Sequence, residues 1–138
     1  MRQSGAYILL VEDDEILSDV ISRNLHMRQH HVDVAHDGLV ALNLLGAKTF
    51  DLIIFDLDFP GQAGWDLLRT VLQEPYLHTN VVLKQRWAFP VVVLSVMRVS
   101  IQLLTELQLL AYVPKPFAME ALLHFAAQAT TRSPDTVR

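Results

Sequence analysis

Three carboxylates, a hydroxyl and an ammonium carry the chemistry in this sequence. Glu12 and Asp13, Asp56, Ser95 and Lys115 each stand at the end of a short apolar run: Ala6 to Val11, Leu52 to Phe55, Val91 to Leu94, and Leu110 to Val113. Asp13 lies 43 residues before Asp56, which lies 39 before Ser95, which lies 20 before Lys115, so only a fold can gather them. Two carboxylates ~4 Å apart repel by about 4 kcal/mol at an effective dielectric of ~20, and one lysine cannot balance three of them. A hard cation is called for. Oxygen ligands with no His or Cys beside them select Mg²⁺, or Mn²⁺ in its place. Such an ion and Lys115 would neutralise the equatorial oxygens of an incoming phosphoryl group, and positioning with charge stabilisation supplies most phosphoryl-transfer catalysis. Aspartate is a competent nucleophile in that chemistry and forms an acyl phosphate.

The elements that must position these groups follow from periodicity. None of the four apolar runs alternates polar with apolar, so both faces of each are covered, as in a parallel sheet flanked by helices. A fifth run, His31 to Ala35, does alternate and suits a sheet edge. Between the runs lie segments of helical period at Glu15 to Arg28, Gly38 to Leu45, Trp65 to Leu72, Val99 to Leu110 and Phe117 to Ala129. Asp14 and Asp37 precede the first two as caps, and Pro75 stops the third. Strand then helix, five times over, predicts an α/β fold: a doubly wound five-stranded parallel sheet of order 2-1-3-4-5, a flavodoxin-like three-layer sandwich. Ligands of such sheets bind beyond the carboxyl ends of the strands, where all the polar ends named above converge.

Composition narrows the classes. The chain has 138 residues, 51% of them hydrophobic, a net charge of -4 and no cysteine. That is one domain's worth. Disulfides, thiolate metal sites and cysteine nucleophiles are excluded. The run from Ala6 to Val11 is far too short to span a bilayer and meets Glu12 at once, so the expectation is a cytoplasmic domain without a membrane anchor. An acidic balance without a clustered basic face argues against direct nucleic-acid binding, and the length leaves no room for a DNA-binding output domain within this chain.

The stretches Ile8 to Asp14, Asp51 to Leu57 with Pro60, Gly61 and Gly64 after it, Val91 to Ser95, and Tyr112 to Phe117 together resemble the receiver domain of bacterial response regulators, the chemotaxis-regulator-like modules of two-component signalling. The resemblance covers roughly Tyr7 to Ala129. It implies a phosphorelay protein rather than an enzyme, apart from Mg²⁺-dependent self-phosphorylation from a phosphodonor and autodephosphorylation. By the resemblance, Asp56 is the phosphoacceptor, receiving its phosphoryl group from a sensor histidine kinase or phosphotransfer protein. Glu12, Asp13 and Asp56 hold the metal with the backbone carbonyl of Asp58. Lys115 and Ser95 contact the phosphoryl oxygens, and Tyr112 rotates inward behind Ser95, remodelling the face made by the fourth helix, fifth strand and fifth helix toward a downstream effector. The Lys115–Pro116 bond is cis by the same likeness.

The chain departs from the family in places. Val96 follows Ser95 where a small residue is usual, and it stands to gate phosphotransfer; Asp58 and Met97 occupy positions that tune the lifetime of the phosphoryl group. The interval before the fourth strand is long, placing an insertion at about Pro75 to Phe89 in a receiver domain of residues 1–129, with 130–138 a polar tail. A connection that long is uncommon unless ordered by packing on a neighbour or partner.

Plainer readings compete. Asp14 caps a helix, Asp58 offers its carbonyl rather than its side chain, and Tyr112 suits core as well as switch. His26, His30 and His31 read as a solvated helix end. On the fourth helix Val99, Leu103, Leu107 and Leu110 share one face, while Ile101 and Leu109 fall on another; that second face suits homodimerisation or effector docking, unless the insertion covers it. A rival function is a haloacid-dehalogenase-like phosphatase, given Asp56-Leu57-Asp58, but its metal-binding acids should follow the lysine. A receiver-like module that no longer takes phosphate and acts by protein binding is the other alternative.

Overall fold

The structure is a computed structural model, and it describes residues 5–60, 63–73 and 89–132. Strands β1 (Tyr7–Val11), β2 (His31–Ala35), β3 (Leu52–Asp56), β4 (Phe89–Ser95) and β5 (Leu109–Pro114) alternate with helices α1 (Glu15–Met27), α2 (Gly38–Ala47), α3 (Ala63–Val71), α4 (Ile101–Leu107) and α5 (Met119–Arg132). The sheet has the order β2-β1-β3-β4-β5, with every pairing parallel. This is the doubly wound, flavodoxin-like sandwich that the strand-helix alternation predicts.

Period-two geometry divides each central strand between two cores. Leu9, Val11, Ile53, Phe55, Val91 and Val93 face Ala41 and Leu45 of α2 and Leu68 and Val71 of α3, with Leu103, Leu104 and Leu107 of α4 packed against them. Ile8, Leu10, Leu52, Ile54, Val92 and Leu94 face Ile21 and Leu25 of α1 and Leu122 and Ala126 of α5. Both faces being covered is why these strands read as unbroken apolar runs. Burial of each such side chain is worth about 1.5–3 kcal/mol, so the strand ends are held by the most stable part of the molecule. β2, at the edge, is half exposed.

Asp14 caps α1, accepting from the N–H groups of Ile16 and Leu17 at 2.9 and 3.1 Å. Asp37 caps α2 through Val40 N–H at 2.9 Å.

Three local expectations give way. The helix expected over Val99 to Leu110 ends at Leu107, because Gln108 turns into the left-handed region (φ 58°). Leu109 and Leu110 therefore belong to β5, and Leu109 is buried, so of the two residues offered for an outer apolar face only Ile101 is exposed. The helical period simply runs on into strand residues, and neither Gly nor Asn marks the stop. The tail expected from Thr130 is helical as far as Arg132. His30 is buried rather than solvated, and its Nδ1 accepts the Ala6 N–H at 3.0 Å. Burial, then the charges of Arg28 and His31, hold its pKa below the usual histidine value. The insertion expected at Pro75 to Phe89 lies outside the described residues, except that Phe89 opens β4.

Candidate functional site

Register brings the polar strand ends together. Val11 of β1 pairs with Phe55 of β3, so Glu12 and Asp56 are the next residues on adjacent strands. Asp56 pairs with Leu94, and Ser95 pairs with Pro114, which carries Lys115 to the same edge. Glu12 N–H donates to Ala35 O at 2.9 Å and Lys115 N–H to Ser95 O at 3.0 Å, extending the ladders by one residue where the side chains turn toward the site. Three of the five buried polar or charged residues among the described ones lie here: Glu12 at 1% exposure, Asp56 at 1% and Ser95 at 2%.

Asp56 is held through both oxygens. Its Oδ1 accepts the Asp58 N–H at 2.7 Å, and its Oδ2 meets Lys115 Nζ at 2.5 Å. The Lys115–Pro116 bond is cis. Burial opposes the Lys115 ammonium, but hydrogen bonding and attraction to Asp56 and Asp58 outweigh it and raise the lysine pKa.

Glu12 is the crowded carboxyl. One oxygen accepts Asp14 N–H at 3.1 Å, while Oε1 is buried without a hydrogen-bond partner. Burial, and next the Asp56 carboxylate, push its pKa up to about 9. Asp13, by contrast, is exposed.

The Asp58 side chain makes contacts that the sequence does not signal. Its carboxylate turns onto three donors: Ser95 Oγ at 2.9 Å, Val96 N–H at 2.9 Å and Lys115 Nζ at 3.1 Å. Burial favours the neutral acid, but these partners prevail and hold its pKa below the usual carboxylate value. Charge-assisted hydrogen bonds are the strong ones, which is why the carboxylate turns inward. Ser95 Oγ also accepts Met97 N–H at 2.9 Å, which fixes its rotamer. The Val96 and Met97 side chains are exposed, and Tyr112, half-buried, donates its hydroxyl to Met97 O at 3.0 Å.

Among the described residues no three acidic or histidine side chains are grouped closely enough to hold a metal ion, but one buried oxygen suits a divalent cation. The orphaned, buried Glu12 Oε1 beside the Asp56 carboxylate is an oxygen site that a hard cation would satisfy, and Asp13 adds a further carboxylate next to it in the chain.

Residues 8–127 match the response regulator receiver domain family. The transcriptional regulatory protein CpxR of Escherichia coli is 35% identical over 112 residues, which is 80% of this chain and 43% of that protein. The response regulator ArlR of Staphylococcus epidermidis is 28% identical over 130 residues, 93% of this chain and 54% of that protein. Among solved structures, the non-phosphorylated HemR receiver domain from Leptospira biflexa is 27% identical, with a TM-score of 0.71 over 91% of this chain and 94% of that one. The chain belongs to the response regulator receiver domain family, the receiver module of two-component signalling. It spans about half or less of the length of the curated relatives it matches, from 30% to 54%. Several of those are named transcriptional regulators, so the expectation of no dealings with nucleic acid finds no support in them. Among the described residues no helix is long and apolar enough to cross a membrane.

Proposed function

We propose that Asp56 is the phosphoacceptor of a cytoplasmic phosphorelay. The observation that carries this reading is a carboxylate only 1% exposed and paired with Lys115 Nζ at 2.5 Å, in a chain of the receiver family. A carboxylate oxygen of Asp56 attacks the phosphorus of a phosphohistidine on a sensor kinase or phosphotransfer protein. The P–O bond forms, the P–N bond breaks, and the imidazole departs with the electron pair. Glu12, Asp13, Asp56 and the backbone carbonyl of Asp58 would hold Mg²⁺ or Mn²⁺, which when bound supplies positive charge to the phosphoryl oxygens. Lys115 Nζ neutralises a second oxygen, and Ser95 Oγ donates to a third. Tyr112, tied to Met97 O beyond Ser95, couples that hydroxyl to the surface of α4, β5 and α5. Exposed Ile101, Val96 and Met97 offer that surface apolar contacts for an effector or a second copy.

Mass spectrometry after treatment with acetyl phosphate and Mg²⁺ tests the assignment. The expected result is a gain of one phosphoryl group on Asp56, lost on hydroxylamine treatment and absent from Asp56→Asn. A Trp87→Phe background leaves Trp65, which packs on the cluster of Phe55 and Leu57 beside Asp56, as the fluorescence reporter. Its emission should respond to phosphodonor in the parent and not in Asp56→Asn. Labelling that persists in Asp56→Asn refutes the phosphoacceptor.

A further inference from the structure

Three donors from two strand ends converge on one carboxylate that the phosphoacceptor reading leaves without a task. Ser95 Oγ, Val96 N–H and Lys115 Nζ point at the two oxygens of Asp58, at 2.9, 2.9 and 3.1 Å. Lys115 Nζ also touches Asp56, and the Asp58 N–H bonds Asp56 Oδ1. The donors therefore surround the space next to the Asp56 carboxylate. A hydroxyl, a backbone N–H and an ammonium around one small anion are what an oxyanion subsite consists of.

Resting on the proposed role of Asp56, we propose that the Asp58 carboxylate is an internal anion that fills the phosphoryl-oxygen subsite formed by Ser95, Val96 and Lys115, and must be displaced whenever Asp56 receives a phosphoryl group. The chain carries its own competitor. Two physical terms act in the same direction. Displacement costs Asp58 its three hydrogen bonds, and a carboxylate within ~4 Å repels an incoming phosphodonor dianion. Ser95 is turned toward the site, its hydroxyl on Asp58 and its rotamer fixed by Met97 N–H. Val96 enters through its backbone N–H rather than its exposed side chain.

The test is fluoroberyllate titration of the full chain in Mg²⁺, followed by the amide resonances of Ser95 and Val96, with wild type, Asp58→Asn, Asp58→Ala and Asp56→Asn compared. Loss of charge-assisted hydrogen bonds to a competitor should tighten fluoroberyllate binding at least about tenfold in Asp58→Ala, less in Asp58→Asn, which keeps an acceptor, and abolish it in Asp56→Asn. Without metal or fluoroberyllate, Asp58→Ala should also exchange the Val96 amide at least about tenfold faster than wild type, circular dichroism being unchanged. Asp58→Ala binding no tighter than wild type, while Asp56→Asn does not bind, overturns the competitor and leaves the phosphoacceptor standing. Unchanged Val96 exchange overturns it too. Fluoroberyllate binding retained in Asp56→Asn, or absent from every variant, overturns both.

Discussion

Lys115 Nζ lies 2.5 Å from Asp56 Oδ2, across 59 positions of sequence. Asp56 sits at the end of the central strand β3 and Lys115 just beyond β5, with β4 between them, so the lysine reaches across the end of one strand to its partner. This pair sets the electrostatics of the whole edge. It leaves Glu12 Oε1 buried without a hydrogen-bond partner and Asp58 as a second anion on the same ammonium.

Removing the lysine should be costly. Lys115→Met strands the Asp56 carboxylate, 1% exposed, next to Glu12. Loss of one partner from a buried pair predicts destabilisation by about 3 kcal/mol, read by urea unfolding without divalent metal. A loss below about 1 kcal/mol would show that water screens the pair as it does exposed ones.

Glu12 predicts a pH dependence in the metal-free protein. Its pKa rises from 4.5 in the unfolded chain to about 9 in the folded one, with burial the first cause and Asp56 the second. Between those values the folded state binds more protons, so this contribution to stability is complete below pH 4.5 and is lost as pH climbs toward 9. The slope from one proton cannot exceed about 1.4 kcal/mol per pH unit. Unfolding free energies of wild type should therefore fall from pH 6 toward pH 9, and Glu12→Gln, which carries no charge to bury, should flatten that fall. Parallel curves for the two proteins would refute the assignment.

Gly64 should resist substitution for a reason unconnected with φ. A Cβ there would overlap the carbonyl oxygen of Leu57, the residue between Asp56 and Asp58. Gly64→Ala must push that backbone aside, and overpacking costs about 1–3 kcal/mol. Because the displaced segment carries Asp58 N–H onto Asp56, phosphodonor labelling should slow along with the drop in melting temperature. Labelling at the wild-type rate would separate α3 packing from the site.

The sequence by itself determined the sheet, its order and most of its contributors to the site, since apolar runs and helical periods are local signals and each run ends in a polar residue. Glu12, Asp56, Ser95 and Lys115 were legible because a strand end in a parallel sheet has only one place to go. Asp14 and Asp37 were legible as caps because the bonds they make span two or three residues. The end of α4 was not, since Leu107, Leu109 and Leu110 keep a helical period while Gln108 breaks the backbone. His30 looked solvated because its burial is set by Ala6, 24 residues away. The same limit hid Asp58. Its spacing from Asp56 shows a second acid, but which way that acid turns depends on donors 37, 38 and 57 residues further on, Ser95, Val96 and Lys115. Type and periodicity fix which groups arrive at the edge of the sheet; only packing fixes which charge faces which donor, because that choice is made by distances of a few ångströms between segments far apart in the chain.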